Sequence, residues 1–190
     1  MNVPLARDSY PHDDLNASSL LRVLLGQDGS TTRLCEVVAG GPVELYLHSQ
    51  ARIEVVPDRV LEHLGGVSWI ERITSLHVAG RVMMDNLTLT RADRIPIEFA
   101  DDLERGELPV GRLLDRMFVK RELIQTSGLG EILWAVTGLP DARASRSYTI
   151  SSESGAFMLV FETYRTEIAR RFYRQKASAL FSSASRRRGR

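Results

Sequence analysis

Two apolar stretches, Trp69–Val78 and Ala156–Tyr164, each carry a charge set among apolar neighbours: Arg72 in the first and Glu162 in the second. Strand side chains alternate between faces. Arg72 then shares a face with Ile70, Thr74, Leu76 and Val78, and Glu162 shares one with Met158, Val160 and Tyr164, leaving Phe157, Leu159 and Phe161 to the opposite face. A carboxylate in a strand apolar on both sides is shielded from water, and an unpartnered buried charge costs several kcal/mol or neutralises. Each of these groups therefore calls for a partner, either a protein charge or a polar ligand. The plain structural alternative is a buried ion pair, or two edge-strand charges that reach water.

The rest of the chain alternates short apolar patterns with turn signals. Residues 1–14 are polar and read as a mobile N-terminal segment. Leu15–Leu25 has the spacing of a helix, capped by Asp14 or Asn16 and ended by Gly26. After the turn Gln27-Asp28-Gly29-Ser30, Thr31–Val38 reads as a strand, and Val43–Val56 as a half-buried strand. Pro57–Leu64 suits a short helix opened by proline. Val67–Val78 and Val82–Thr90 form two strands joined by a tight turn at Ala79-Gly80-Arg81. Short helices are expected over Ile97–Arg105 and Gly111–Met117, and strands near Val119–Thr126, Ser145–Ser151 and Ala156–Tyr164. With four glycine or proline residues, Ser127–Ala144 has no clear assignment. Arg165–Phe181 reads as a closing helix and residues 182–190 as a basic, disordered tail. Short strands mixed with short helices, without regular alternation, define an α+β class: a single antiparallel β-sheet flanked by short helices, in one domain over residues 15–181.

Composition narrows the function classes. At 190 residues, 43% hydrophobic and 26% charged, the chain can build a substantial core. Its 25 basic and 24 acidic residues leave a net charge of +1, which gives no overall electrostatic reason to expect nucleic acid or an acidic membrane surface. Cys35 is the only cysteine, which excludes an internal disulfide, and His12, His48 and His63 lack metal-ligand spacing, so no metal is expected. Cys35 and Met83-Met84 read as core residues, and His77 as a surface or hydrogen-bonded histidine. Without a membrane-span pattern or a signal-peptide stretch, a soluble cytoplasmic setting is the plain expectation. Oligomeric state is not legible.

Four segments together resemble the chorismate pyruvate-lyase (4-hydroxybenzoate synthase) family. They are Leu20–Leu25 with Asp28–Arg33, Trp69-Ile70-Glu71-Arg72, Leu108-Pro109-Val110-Gly111-Arg112-Leu113-Leu114, and Leu159-Val160-Phe161-Glu162. The resemblance runs from about Leu15 to Tyr164 and rests on order and spacing; Val110 stands where the family has leucine, and the Arg72–Pro96 hairpin departs from the family pattern. It implies a chorismate lyase-like fold and a cofactor-free lyase that splits chorismate into 4-hydroxybenzoate and pyruvate. On that reading Arg72 binds the ring carboxylate, because a guanidinium offers a planar fork of donors. Glu162 lies at the ring hydroxyl as base or orienting group. Ser30, Thr31, Val110 and Gly111 contact the substrate, with backbone N–H groups near Ser30-Thr31 and Val110 completing the anion site. The second carboxylate of the dianion needs another cation, for which Arg22, Arg33, Arg81, Arg91 and Arg112 are candidates.

Two rivals share the fold. One is the effector-sensing domain of bacterial transcription regulators, which binds a ligand without converting it. Such domains follow a DNA-binding winged helix, and the short stretch before Leu15 leads to the expectation of an enzyme instead. The other is a divergent enzyme acting on a different biosynthetic intermediate.

Overall fold

The computed structural model describes residues 12–126, 128–138, 140–165 and 168. Six strands form one fully antiparallel sheet: β1 (Glu44–Ile53), β2 (Trp69–Val78), β3 (Arg81–Arg91), β4 (Lys120–Ile124), β5 (Ser145–Ser152) and β6 (Gly155–Tyr164), in the order β1-β2-β3-β6-β5-β4. Among the described residues six α-helices flank it: α1 (His12–Gly26), α2 (Thr31–Ala39), α3 (Asp58–Leu64), α4 (Ile97–Arg105), α5 (Val110–Leu114) and α6 (Leu129–Thr137). This is the α+β architecture that the sequence implied.

Local chemistry explains the boundaries. The β2–β3 hairpin turns on Ala79 and Gly80, both at positive φ (49° and 72°), the backbone twist that a two-residue hairpin loop requires. Helix α4 follows Pro96 and stops at Gly106 in the left-handed region; α5 follows Pro109.

One segment departs from expectation. Thr31–Val38, read as a strand, is helix α2. Ser30 caps it, its Oγ accepting from the Arg33 N–H, and Gly40 ends it at φ 68°. The buried positions Thr31, Cys35, Val38 and Ala39 recur at helical spacing, which a strand reading overlooks. Three smaller differences follow. His12–Asp14, assigned to a mobile segment, belong to α1. Part of the unassigned Ser127–Ala144 stretch is α6, followed by a single 3-10 turn at Ala142–Ala144. Phe157, expected on the face opposite Glu162, falls at an irregularity in the β5–β6 register and packs edge-on against Phe99 of α4, with ring centroids 6.2 Å apart. The tail at 182–190, and all of the expected closing helix except Arg165 and Ile168, lie outside the described residues.

The register fixes which side chains share a face, because directly opposed residues project together. One face carries Ile73, Leu87, Leu89, Leu159 and Phe161, covered by Val60 and Leu64 of α3 and by Leu129 and Leu133 of α6. The other face is polar across its middle. One row runs Gln50–Arg72–Thr88–Val160–Tyr148, and the next Thr74–Asn86–Glu162–Arg146. At one end of this face Leu76, Met84 and Tyr164 pack with Leu24 of α1 and with Cys35 and Val38 of α2. At the other end Ile70, Met158 and Ile150 pack with Phe99 and Leu103 of α4 and with Leu113 and Leu114 of α5. The polar rows lie in the seam between those two apolar clusters.

Candidate functional site

Arg72 and Glu162 project from the same face, and both are buried, at 1% and 3% exposure. They do not pair with each other. Strand β3 lies between them, and they stand in adjacent rows, Arg72 opposite Thr88 and Glu162 opposite Asn86.

Glu162 takes its counter-charge from Arg146 on β5, whose Nε donates to Oε2 at 2.9 Å with both side chains buried. Thr31 Oγ1 donates to the same oxygen at 3.2 Å, and Tyr148 Oη donates to Oε1 at 2.7 Å. Tyr164 Oη stands 3.4 Å from Oε2, but its one proton has a nearer acceptor in the Leu24 carbonyl at 3.1 Å. Arg146 is in turn fully engaged: Nη2 donates to Thr31 Oγ1 at 2.9 Å, and Nη1 donates to the Gln27 carbonyl. Its guanidinium carbon stands 5.1 Å from the Tyr148 ring centroid and 5.7 Å from that of Tyr164. Burial works against the Arg146 cation, but Glu162, Tyr164 and Tyr148 outweigh it and raise its pKa. Tyr148 is pushed well above the usual phenol range, first by burial and then by the Glu162 charge. Cys35 nearby is likewise pushed up, to about 12, mainly by burial.

Arg72 is the opposite case. Its Nη2 donates to the carbonyls of Gly106 (2.7 Å) and Leu108 (2.9 Å), in the loop between α4 and α5. Its Nε and Nη1 are buried without a partner among the described residues, as are the hydroxyls of Thr88, directly opposite, and of Thr90. Burial lowers the Arg72 pKa from the usual guanidinium range to about 10. A buried cation with unused donors has the capacity to meet an anion or water.

Between these two centres lies a cavity lined by Thr31, Thr32, Thr74, Asn86, Thr88, Val110, Gly111, Arg121, Tyr148, Val160 and Glu162, among others. Its free volume is about 30 Å³, room for about two water molecules. Helix α5 lies against α2 over part of this cavity. A Cβ at Gly111 would stand 2.5 Å from Thr32 Oγ1, so only glycine lets the two helices approach this closely. Arg112 also pairs with Glu36 across the same seam.

Of the residues singled out in the sequence, Glu162, Thr31, Val110 and Gly111 line the cavity; Arg72 borders it through Thr88 and Thr74; Ser30 caps α2 and stands against Gly111. The turn before α2 contributes the Gln27 carbonyl to Arg146. None of Arg22, Arg33, Arg81, Arg91 and Arg112 lines the cavity; Arg121 on β4 does. Arg146 and Arg121 were both missed. The signal for Arg146 was present, since Arg146, Tyr148 and Ile150 alternate as Arg72, Thr74 and Leu76 do.

A second polar group occupies the opposite face. Ser75 Oγ donates to Asp85 Oδ1 at 2.5 Å, His48 Nε2 lies 2.7 Å from the same Oγ, and Arg165 pairs with Asp85. The serine proton already belongs to the carboxylate, so the histidine cannot act as its base. Among the described residues no three His, Cys, Asp or Glu side chains are placed to hold a metal ion, and no helix is long and apolar enough to cross a membrane.

No family model matches the chain, and no curated protein matches it by sequence. Solved structures similar to it include PhnF from Mycobacterium smegmatis, at 14% identity and TM-score 0.48, covering 82% of this chain and 86% of that one. Another is the gene product SA0254 from Staphylococcus aureus, at 11% identity and TM-score 0.47, covering 74% and 90%. A third is the effector binding domain of the trehalose repressor TreR from Bacillus subtilis, at 13% identity and TM-score 0.41, covering 65% and 91%. At such identities nothing about a ligand carries over.

Proposed function

We propose that the chain is a small-molecule binding domain that holds an anionic ligand on Arg72 without converting it, as an effector-sensing domain does. The observation that carries this reading is the pair of buried, unpartnered donors Nε and Nη1 on Arg72, beside the unpartnered Thr88 and Thr90 hydroxyls. A ligand carboxylate or similar oxyanion would meet those donors and relieve the cost of burying the cation. In support of binding without turnover, the Glu162 carboxylate is held by Arg146 and Thr31 on Oε2 and by Tyr148 on Oε1, so that one acceptor position, on Oε1, is left to meet a ligand proton.

The lyase reading has one specific observation in its favour: Thr31, Val110, Gly111 and Glu162 converge on one cavity, as the family resemblance requires. Incubating the purified chain with chorismate, without metal or nucleotide, separates the two. The expected result is no 4-hydroxybenzoate or pyruvate, together with calorimetric binding of added 4-hydroxybenzoate that is lost in Arg72→Met. Equimolar appearance of both products, abolished by Glu162→Gln, would overturn the binding-domain reading in favour of the enzyme. Absence of both turnover and binding would remove both readings.

A further inference from the structure

Gln50, Arg72 and Thr88 stand directly opposite one another on β1, β2 and β3, and Thr90 follows Thr88 on the same face. Among the described residues Gln50 Oε1, Arg72 Nε and Nη1, and the Thr88 and Thr90 hydroxyls are buried with no hydrogen-bond partner. Their demands differ in kind. The Arg72 nitrogens only donate, and a hydroxyl both donates and accepts, so an oxyanion can meet all of these. An amide oxygen only accepts. A bare carboxylate offers nothing to Gln50 Oε1 and is repelled by it.

The Gln50 amide cannot escape by turning over. Its Nε2 donates to the carbonyls of Leu103 (3.0 Å) and Glu104 (3.1 Å) at the end of α4, and a flip would set oxygen against oxygen at both. Oε1 is thereby held 3.5 Å from where a Cβ on Gly106 would stand, and the Gly106 carbonyl is one that Arg72 Nη2 holds. The open acceptor and the open donors thus converge beside one backbone position. Opposed strand residues stand about 4.5–5.5 Å apart at Cβ, so whatever serves both carries its two functions on neighbouring atoms.

We infer that the ligand is a 2-hydroxy acid, its carboxylate on Arg72 and its hydroxyl donating to Gln50 Oε1, and that Gln50 selects for that hydroxyl. An ammonium in the same place would stand against the Arg72 cation, which disfavours a 2-amino acid. An acid without the hydroxyl leaves a buried acceptor unpaired, a mismatch that discriminates more sharply than lost apolar contact. This rests on the anion-binding reading and adds to it the ligand's second functional group and the residue that reads it.

The test titrates matched acids calorimetrically into the full chain: lactate against propionate and mandelate against phenylacetate, with alanine as the amino counterpart of lactate. In the wild type the hydroxy acid of at least one pair is expected to bind about fivefold or more tightly than its partner, and alanine no more tightly than propionate. That ratio collapses towards one in Gln50→Met, and also in Gln50→Lys, whose ammonium can still donate to the Leu103 and Glu104 carbonyls. It persists in Arg52→Ala, an exposed arginine two positions along β1. A merely structural Gln50 would weaken both members of a pair alike and leave their ratio unchanged. Equal binding within both pairs in the wild type, a ratio that survives both Gln50 variants, or tighter binding of alanine than of lactate overturns the inference; acid binding that is lost in Arg72→Met then leaves the anion-binding reading standing. If none of the four acids binds, that reading fails and the inference fails with it.

Discussion

Replacing Arg72 with methionine removes a buried cation and keeps an unbranched, adaptable side chain. In the ligand-free protein two effects oppose each other. Burial lowers the Arg72 pKa from the usual guanidinium range to about 10; at about 1.4 kcal/mol per pH unit, holding that charge costs roughly 3 kcal/mol, which methionine does not carry. Against this, the variant loses the bonds from Nη2 to the Gly106 and Leu108 carbonyls, worth about 1.5–3 kcal/mol each for a charged donor. The net loss of stability is thus between about zero and 3 kcal/mol. Ligand response behaves differently. Two charge-assisted contacts to Nε and Nη1 are worth roughly 3 kcal/mol or more, so affinity falls at least about 100-fold. At a ligand concentration 100 times the wild-type Kd, linkage stabilises the wild type by about 2.7 kcal/mol and the variant by only about 0.4 kcal/mol. Urea denaturation with and without 4-hydroxybenzoate reads both quantities. The pH dependence supplies a second check. Because burial depresses the folded-state pKa, the unfolded chain binds more protons from about pH 10 up to the usual guanidinium range, so this group's contribution to stability rises with pH across that window, while ligand stabilisation, which needs the cation, fades as pH rises through about 10. An undiminished ligand shift in Arg72→Met would refute the reasoning and make Arg72 a strut for the α4–α5 loop.

Gly111→Ala is expected to destabilise by about 1–3 kcal/mol in denaturant melts, because the new Cβ would stand 2.5 Å from Thr32 Oγ1 and push α5 off α2; Thr32→Ala in the same chain should recover part of that loss. Glu162→Gln leaves Arg146 buried without its counter-charge, at an expected cost of about 3–5 kcal/mol. Adding Arg146→Gln should cost much less than the sum of the two single changes, and strict additivity in that cycle would mean that the pair is not coupled.

Strands β2 and β6 were legible because most of their positions are apolar or small, so alternation alone placed Arg72 and Glu162 on defined faces, with Glu71 on the face opposite Arg72. Alternation says nothing about which strands neighbour one another. The order β2-β3-β6-β5 sets Arg146 beside Glu162 and puts β3 between Glu162 and Arg72, and that order is a property of the whole chain. Helix α2 was misread for a related reason. Thr31-Thr32-Arg33-Leu34-Cys35 has the β-branched and apolar content of a strand, and only the Ser30 cap and the spacing of Thr31, Cys35, Val38 and Ala39 mark it as helical. Arg146 escaped notice because Ser145, Ser147 and Thr149 alternate with it and Tyr148, so its strand lacks the apolar run that sets off Arg72 and Glu162. Those serines and threonines in fact line the opposite face and are buried or half-buried.

The same ordering decides what the cavity lacks. Had β6 lain beside β2, Glu162 and Arg72 could have neutralised each other, and the polar rows would have needed nothing from outside. With β3 inserted, the residues offered to Arg72 from its neighbour are Thr88 and Thr90, hydroxyls that can join a hydrogen-bonded anion but cannot replace one. On the other side of β6, Arg146 takes the carboxylate and is itself anchored to Thr31 and the Gln27 carbonyl, so Glu162 cannot swing towards Arg72 without stranding a second buried cation. The α4–α5 loop can lend Arg72 two carbonyls, which accept hydrogen bonds but bring no charge. The unmet demand at Arg72 is therefore for negative charge in particular. Nothing smaller than a rearrangement of the Arg146 network supplies it from within the cavity walls.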